Sequence, residues 1–217
     1  MTERIALDLV NAKELFRDYK EYVKFTQLYE AAIKQLTTRL EILNSECGAM
    51  EEHNPIHHIY SRLKSVNSIV EKLNKRGYEV SAESAMHNLN DIAGLRVVCG
   101  YLDDVYRVAD MLLRQSDIVL VDRTDYIENP NYNGYRSLHL DVEIPVFLAE
   151  RTEYVTAEIQ IRTVAMDYWA TLEHDLRYKN LKTIPSEICS AMLGCANEIA
   201  DIERRMQDVY KEIQALD

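Results

Sequence analysis

Apolar side chains recur in alternating steps of four and three residues at both ends of the chain. The first pattern extends from about residue 3 to residue 46 and predicts one long amphipathic helix, and the second predicts a C-terminal helix. The first seam consists of Leu15, Tyr19, Tyr22, Thr26, Tyr29, Ile33, Leu36, Leu40 and Leu43. The second consists of Ile188, Met192, Cys195, Ile199, Ile202, Met206, Val209, Ile213 and Leu216. Such helices pack on each other or on a core, and long seams commonly also join subunits, so we expect a homo-oligomer.

Between these helices, period-two alternation predicts strands at residues 118–121, 137–145 and 156–162, and an apolar run predicts a buried strand at 91–99. The polar side chains on one face of the last two alternating strands are His139, Asp141, Glu143, Glu158, Gln160 and Arg162. A sheet face this polar is either solvated or a site. Helices on the other side of the sheet favour a site.

A helix with one basic face is predicted between Asn54 and Gly77. Asn54 followed by Pro55 indicates a helix start, and the helix is expected to continue through residue 73 and to end at Gly77. The side chains on or beside one face of this helix are Arg62, Lys64, Ser68, Lys72 and Lys75. A charged face is usually only solvated, but lysines on both sides of a serine fit a polyphosphate.

The remaining elements complete an α/β (α+β) fold with a mixed sheet of about five strands flanked by helices. Helices are predicted from Asp103 and from Thr163, with a short irregular segment before Asp91. His174 and Asp175 resemble a metal-dependent phosphohydrolase pair, but further ligands are missing from suitable positions, and we interpret His174 as structural. We expect one domain over residues 1–217: an N-terminal helix (1–48), a catalytic core (54–180) and a C-terminal oligomerisation helix (185–217).

Composition restricts the classes of ligand. The chain has 217 residues and a net charge of −11, which argues against bulk binding to nucleic acid or an anionic membrane. An anionic ligand must therefore meet a local basic cluster or a divalent cation. No apolar run is long enough to span a bilayer, and we expect a cytoplasmic protein. Its cysteines, Cys47, Cys99, Cys189 and Cys195, lack metal-ligand spacing, and we expect Cys99 and Cys195 to be buried.

The segment from Asp125 to His139 is a polar, aromatic-rich loop that leads into a strand. Turn dipeptides occur at Asn129 and at Asn133, so the loop bends at least twice. Tyr135 follows a glycine that allows close approach of a ligand, and its ring could stack on a base. The simpler interpretation is a hairpin loop with surface tyrosines.

Two carboxylates at strand positions are candidates for a metal site. Asp91 lies at the mouth of one predicted strand and Glu158 on a neighbouring one, and Mg²⁺ bound beside phosphates needs few protein ligands. Arg96 is embedded in an apolar strand and must meet an anion or an aromatic face. Together with the basic row and Tyr135, these residues suggest a two-nucleotide site for phosphoryl or pyrophosphoryl transfer. The chain has neither a P-loop nor a GxGxxG motif.

Four motifs, in order, resemble the RelA/SpoT synthetase domain, and nearly the whole chain resembles small alarmone synthetases of the RelQ/RelP type. They are Arg62-Leu63-Lys64, residues 91–96, residues 133–139, and residues 158–163 followed by Met166, Trp169, Glu173 and His174. The resemblance implies a nucleotidyltransferase-like fold and transfer of the β,γ-pyrophosphate of ATP to the ribose 3′-OH of GDP or GTP. The products would be (p)ppGpp, the alarmones of the stringent response, and AMP.

The resemblance also implies roles for individual residues. Asp91 and Glu158 would hold Mg²⁺, for which Mn²⁺ could substitute, and Glu158 would also be the general base. Arg62 and Arg96 would sandwich the adenine, while the ATP phosphates would face Lys64, Ser68, Lys72 and Lys75. Tyr135 would stack on the guanine, with His139 and Gln160 nearby. Homotetramers through the terminal helices are a family trait, and so is regulation by single-stranded RNA.

The chain departs from relatives that are activated by their own product. Their basic residues align with Thr37, Glu41 and Asn44 here, and Asp167 replaces a usual asparagine. An acidic side chain that faces a polyphosphate is repulsive, so product activation by that route is not expected. Two alternatives stay open: a nucleotidyltransferase that moves NMP, and a catalytically silent nucleotide or RNA sensor on the same fold.

Overall fold

The alternating segments of the sequence pair into one five-stranded mixed sheet in the computed structural model, which describes residues 11–51, 53–179 and 185–216. The strands are β1 (Ile56–Leu63), β2 (Ala93–Cys99), β3 (Val119–Asp125), β4 (Leu138–Phe147) and β5 (Thr152–Thr163). The helices are α1 (Tyr19–Glu51), α2 (Val66–Arg76), α3 (Ala82–Asn88), α4 (Leu102–Leu113), α5 (Val164–Lys179) and α6 (Ser186–Gln214). The predicted fold class is confirmed.

The strand order is β1-β2-β5-β4-β3. β2 and β5 are parallel, and the other neighbouring pairs are antiparallel. Because β2 and β5 are parallel neighbours and β1 adds antiparallel to β2, the ends of β1, β2 and β5 that carry the sequence motifs lie side by side. This pairing brings together motifs that are about a hundred residues apart in the chain.

The apolar face of the sheet and the N-terminal seam bury each other. Leu138, Leu140, Val142 and Ile144 of β4 are fully buried, as their alternation predicts. α1 packs against β1, β2, β4 and β5, with Leu36 and Leu40 fully buried. Each such leucine contributes roughly 1.5–3 kcal/mol to folding. Most of the N-terminal seam is therefore used inside the chain.

The N-terminal helix is not continuous, contrary to the prediction. A helical segment at residues 11–15 is followed by a break, and α1 begins at Tyr19, whose side chain is 79% exposed despite its seam position. Asp18 causes the restart: its Oδ1 accepts a hydrogen bond from the Glu21 backbone N–H at 2.8 Å, and Glu21 accepts from the Arg17 N–H at 2.6 Å. The predicted part at residues 3–10 lies outside the described residues.

The predicted helix after Asn54 was placed too early. Residues 56–63 form the edge strand β1, paired antiparallel with β2, and the helix begins only after Ser65, which accepts a hydrogen bond from the Ser68 N–H at 3.3 Å. It ends, as predicted, at Gly77 in the left-handed conformation. The segment expected to be irregular contains α3, which is capped by Ser81.

The C-terminal seam remains largely exposed. Ile202 and Ile213 are 53% and 55% exposed, and Cys195, predicted to be buried, is exposed. The opposite side of α6 is anchored to the start of α4, where Tyr210 stacks on Tyr101 with ring centroids 3.9 Å apart and Gln207 hydrogen bonds with Asp103. In the part of the chain that the structure describes, no helix is long and apolar enough to cross a membrane.

Candidate active site

Strand register aligns the polar face of the sheet into two rows. Side chains in register on neighbouring strands share a face. The first row consists of Arg62, Gly94, Glu158 and Asp141. The second row consists of Tyr60, Arg96, Gln160 and His139. Four of the sequence motifs thus contribute side chains to one surface, which α5 and the β3–β4 loop (residues 126–137) border.

An open cavity of about 560 Å³ lies over these rows. The candidate residues that line it are Arg62, Arg96, Tyr135, Glu158 and Gln160. The Arg62 side chain lies across Gly94, where an added Cβ would stand 3.5 Å from its Cγ and Nε. An alanine at this position would therefore touch the arginine at ordinary van der Waals distance. Both arginines expected at an adenine and the tyrosine expected at a guanine thus border one cavity.

Tyr135 belongs to a hydrogen-bonded cluster with His139 and Arg162. The buried Arg162 donates to the Tyr135 hydroxyl at 3.0 Å, and that hydroxyl lies 2.9 Å from His139 Nε2. Burial, followed by the positive charge of Arg162, lowers the pKa of His139 to about 4, so the ring is neutral at pH 7. The hydroxyl therefore donates to Nε2, and the ring proton is on Nδ1.

Glu158 is held by a hydrogen bond from Gln160, and His139 lies beside it on the same face. Gln160 donates from Nε2 to Glu158 Oε2 at 2.7 Å, and His139 Nδ1 lies 3.8 Å from Glu158 Oε1. Arg162 in turn donates to Gln160 Oε1 at 2.6 Å. A chain of donors therefore orients this half-buried carboxylate toward the cavity. An oriented carboxylate of this kind can accept a proton from a bound hydroxyl.

Asp91 is buried between two lysines. Lys64 Nζ and Lys72 Nζ lie 2.9 and 2.8 Å from Asp91 Oδ2. Burial by itself would raise the pKa of Asp91, but the hydrogen bonds from Lys64 and Lys72 outweigh it and hold the pKa below its usual value. Its Oδ1 is buried without a hydrogen-bond partner within the described residues. A buried, ionised carboxylate with one uncommitted oxygen is suited to act as a metal ligand through that oxygen.

The basic row forms a second groove, of about 570 Å³, next to Asp91. Lys64, Ser68, Lys72 and Lys75 line it. Lys64 precedes the helix that was expected to carry it, yet it still converges with Lys72, because β1 ends directly beside the start of α2. The groove and the cavity lie at the same end of β1: Arg62 lines the cavity, and Lys64, two residues later, lines the groove.

Several residues of this site were given no role in binding or catalysis from the sequence. Arg162 hydrogen bonds with both Tyr135 and Gln160. The sequence signal for it was its position two residues after Gln160 on an alternating strand, which puts both side chains on one face. Asp167 lies 3.5 Å from both Arg96 and Arg162, so its charge is paired here. Asn90 donates to Asp141 at 2.8 Å. Sequence pattern does not reveal such pairings, since they depend on how α5 and the loop before β2 approach the sheet.

His174 was interpreted as a structural residue, but it is exposed and lines the cavity with its neighbours Glu173 and Asp175. Glu173 also accepts a hydrogen bond from Asn133 of the β3–β4 loop at 3.0 Å. α5 is thus a wall of the site as well as a support for the loop.

Comparison with known proteins identifies the class. A family model described as "Region found in RelA / SpoT proteins" matches residues 61–183. GTP pyrophosphokinase YwaC of Bacillus subtilis is 39% identical over 201 residues, which cover 93% of this chain and 94% of that protein. GTP pyrophosphokinase YjbM of the same organism is 33% identical over 197 residues, with coverage of 91% and 92%. The chain belongs to the RelA/SpoT family.

Comparison with solved structures shows which members of the family have a similar fold. Small alarmone synthetase 1 from Bacillus subtilis, bound to its product pppGpp, matches with a TM-score of 0.81 at 33% identity over 90% of this chain and 99% of that chain. Small alarmone synthetase 2 from the same organism matches with a TM-score of 0.80 at 39% identity over 88% and 98%. The chain is therefore similar to small alarmone synthetases over nearly their whole length, as its motifs predicted.

Proposed function

We propose that this protein is a GTP diphosphokinase that makes (p)ppGpp by transferring the β,γ-pyrophosphate of ATP to the 3′-OH of GDP or GTP. The observation that carries the proposal is that Glu158 lies in one cavity with Arg62, Arg96 and Tyr135, beside a groove of lysines around Asp91. The arrangement offers separate surfaces for two bases and one polyphosphate. A cytoplasmic location is part of the proposal, since ATP and guanine nucleotides are available there.

The donor nucleotide binds by charge and by stacking. Arg62 and Arg96 border the cavity, which supports their assignment to the adenine ring by cation–π contact. The phosphates extend into the lysine groove, where Lys64, Ser68, Lys72 and Lys75 neutralise and hydrogen bond them. The chain carries a net charge of −11, so this local cluster has to compensate the repulsion between an acidic protein and ATP.

Asp91 and Glu158 would hold a divalent cation, Mg²⁺ or, as an alternative, Mn²⁺. The uncommitted Oδ1 of Asp91 supports this assignment. When bound, the cation supplies charge neutralisation at the transferring phosphates. Few protein ligands are needed, because Mg²⁺ usually keeps waters and substrate oxygens in its shell.

The transfer itself requires one proton acceptor. The 3′-oxygen of the acceptor ribose attacks the β-phosphorus of ATP, its proton passes to Glu158, and the bond between the β-phosphorus and the bridging oxygen to the α-phosphate breaks to release AMP. Gln160 orients the carboxylate for this step by its hydrogen bond to Oε2. Tyr135 holds the guanine, with His139 and Gln160 next to it.

The direct test is incubation of the purified protein with γ-labelled ATP, Mg²⁺ and GMP, GDP or GTP, followed by thin-layer chromatography. We expect a labelled guanosine product together with an equal amount of AMP, and the ranking of the acceptors follows from the same plate. Labelled inorganic phosphate alone would indicate a hydrolase. Nucleotide binding without any product would favour the sensor.

Tyr135→Ala should raise the apparent KM for the guanine nucleotide about 10-fold or more, since stacking of a base on an aromatic ring is worth about 1–3 kcal/mol. The KM for ATP should change by less than about 2-fold. Tyr135→Phe keeps the ring and is the matched control for the lost hydroxyl. Equal effects of Tyr135→Ala on both nucleotides would contradict the assignment of Tyr135 to the guanine.

We also propose a homotetramer in which the exposed seam of α6 contacts other subunits. The seam includes Ile202, Val209 and Ile213, each about half exposed. Ile202→Glu combined with Val209→Glu should shift the mass measured by light scattering toward the dimer or monomer, because a buried charge at an apolar interface is costly. Ser190→Glu adds a charge to α6 outside the seam and should leave the mass unchanged. An unchanged mass in the double variant would exclude the seam as an interface.

A further inference from the structure

The helix α6 touches the loop that carries Tyr135, at a place apart from its exposed seam. Gly134 has a φ of +87°, and a Cβ added there would stand 2.5 Å from Ala196 Cβ and 3.2 Å from Leu193 Cδ1. Both the left-handed conformation and the close approach of α6 therefore require glycine. The backbone of the β3–β4 loop lies directly on the helix.

Arg136 ties the loop to the helix by hydrogen bonds. Its Nη1 donates to the Gly134 carbonyl at 3.3 Å and to the Ala196 carbonyl at 3.2 Å, and its Nη2 donates to Asn197 Oδ1 at 3.3 Å. One guanidinium thus spans the loop backbone, the helix backbone and a helix side chain. Hydrogen bonds from a charged donor are stronger than neutral ones. Glu203, half-buried on the same helix, adds a negative charge that stabilises the charged form of Arg136.

Tyr135 lies between Gly134 and Arg136 in the chain, but its hydrogen bonds are made to residues outside α6. Its hydroxyl bonds to Arg162 and His139, which both belong to strands of the sheet, and Arg162 also lines the cavity. Gly134 and Arg136 contact α6 instead. Because Gly134 and Arg136 flank Tyr135 in the chain, fixing residues 134 and 136 on α6 restricts where the Tyr135 ring can enter the cavity.

We propose that α6 sets the affinity for the guanine nucleotide through Arg136, which is a positioning residue and does not itself touch a substrate. This inference rests on the proposed function only in naming the ligand of Tyr135. α6 thereby has two roles on two faces: one face presents the apolar seam, and the other supports the nucleotide loop. Loosening of the second face should weaken guanine-nucleotide binding and leave the ATP side intact.

The test compares Arg136→Met with Arg205→Met, whose arginine is exposed and bonds to the backbone carbonyl of Asp201 within α6. Arg136→Met should raise both the KM and the Kd for GDP about 10-fold, with the KM for ATP within about 2-fold and kcat at saturation nearly unchanged. Arg136→Lys should recover part of the loss, since it keeps the charge without the fork of donors. Arg205→Met should match the wild-type protein.

Tryptophan fluorescence gives a readout that needs no turnover. Trp169 is the one tryptophan in the chain, it is 7% exposed, and its Nε1 donates to the Met192 carbonyl of α6 at 3.4 Å. Its ring also lies 3.8 Å from the position of a Cβ on Gly134. If Arg136 holds the loop and helix together, Arg136→Met should shift the emission of Trp169 to longer wavelength, and Arg205→Met should not.

Asn197→Ala is a milder second variant, because it removes one exposed acceptor and leaves the arginine in place. It should raise the Kd for GDP about 2–3-fold in the same selective way. Equal weakening of ATP and GDP, or a lowered Tm with unchanged Kd for GDP, would overturn the inference and leave alarmone synthesis by the wild-type protein unaffected. If the wild-type protein binds GDP but makes no product, the proposed function fails, while selective loss of GDP binding in Arg136→Met still supports the positioning role.

Discussion

Glu158→Gln should lower turnover by about 10²-fold or more and leave the Kd values for ATP and GDP within a few-fold of the wild-type values. Glutamine has the same shape as glutamate but cannot accept the 3′-OH proton. The site around it is already rigid: Gln160 donates to Glu158 Oε2 at 2.7 Å and is itself held by Arg162 at 2.6 Å. The variant therefore removes the charge and the base while most of the surrounding hydrogen bonds can persist. Single-turnover measurement of AMP release, with saturating nucleotides, isolates the chemical step.

The matched control is Glu143→Gln. Glu143 lies on β4 one row away from the cavity, in register with Thr156, and on the same polar face as Asp141. It does not line the cavity among the described residues, so the substitution tests for a general effect of removing a carboxylate from this face. Near-normal turnover in Glu158→Gln would remove Glu158 from the mechanism. A comparable loss in Glu143→Gln would show that the effect is electrostatic and diffuse.

Asp91→Asn should lower turnover by about 10²–10³-fold, since it removes the carboxylate expected to hold the metal together with Glu158. The change also leaves the half-buried Lys64 and Lys72 without their shared anion, so the two ammonium groups repel each other. We expect the dependence of activity on Mg²⁺ concentration to shift to higher concentrations. Titration of activity with Mg²⁺ at fixed ATP measures this shift directly.

Asp117→Asn controls for the loss of an ion pair in general. Asp117 makes a bidentate pair with Arg39 at 2.7 and 2.6 Å, away from the cavity. The variant Asp117→Asn should lower the Tm slightly, with turnover and the dependence of activity on Mg²⁺ unchanged. If Asp91→Asn changes only the Tm, like the control, Asp91 has no role in metal binding.

The pH dependence of stability provides a separate check on Asp91. The lysines hold its folded-state pKa below the unfolded value of about 3.9. A group with a depressed folded pKa contributes stability above its unfolded pKa, and this contribution is lost as the pH falls through the folded value. The stability difference between the wild-type protein and Asp91→Asn should therefore be constant near neutral pH and shrink only below about pH 4. Chemical denaturation at several pH values measures it.

Local pattern predicted the sheet and its polar face because strand alternation is a local property. Period two alone puts Leu138, Leu140, Val142 and Ile144 on one apolar face, which is fully buried. Pattern failed where local and tertiary preferences compete. Residues 56–63 follow a helix-start signal, yet they add to the edge of β2, since pairing with that strand satisfies their backbone hydrogen bonds.

The two terminal seams also show the difference between what local pattern predicts and what tertiary packing decides. Both have heptad spacing, but most of the first packs against the core while the second remains largely exposed. Spacing reports only that a stripe is apolar, and the element that covers the stripe depends on where the chain returns. The break at Asp18 had a local signal in its capping pair with Glu21, which a continuous apolar seam concealed.

The sequence by itself determined the family, the strands β2 to β5 and most of the residues in the candidate site, because these depend on residue identity at short spacing. Only the tertiary structure decided the contacts between distant segments: Asp91 with Lys64 and Lys72, Arg162 with Tyr135, and Arg136 with α6. The physical reason is that short-range pattern specifies the conformation and the face of an element. The partner of a charged side chain depends on the register of β2 beside β5 and on the path of α6 across the β3–β4 loop.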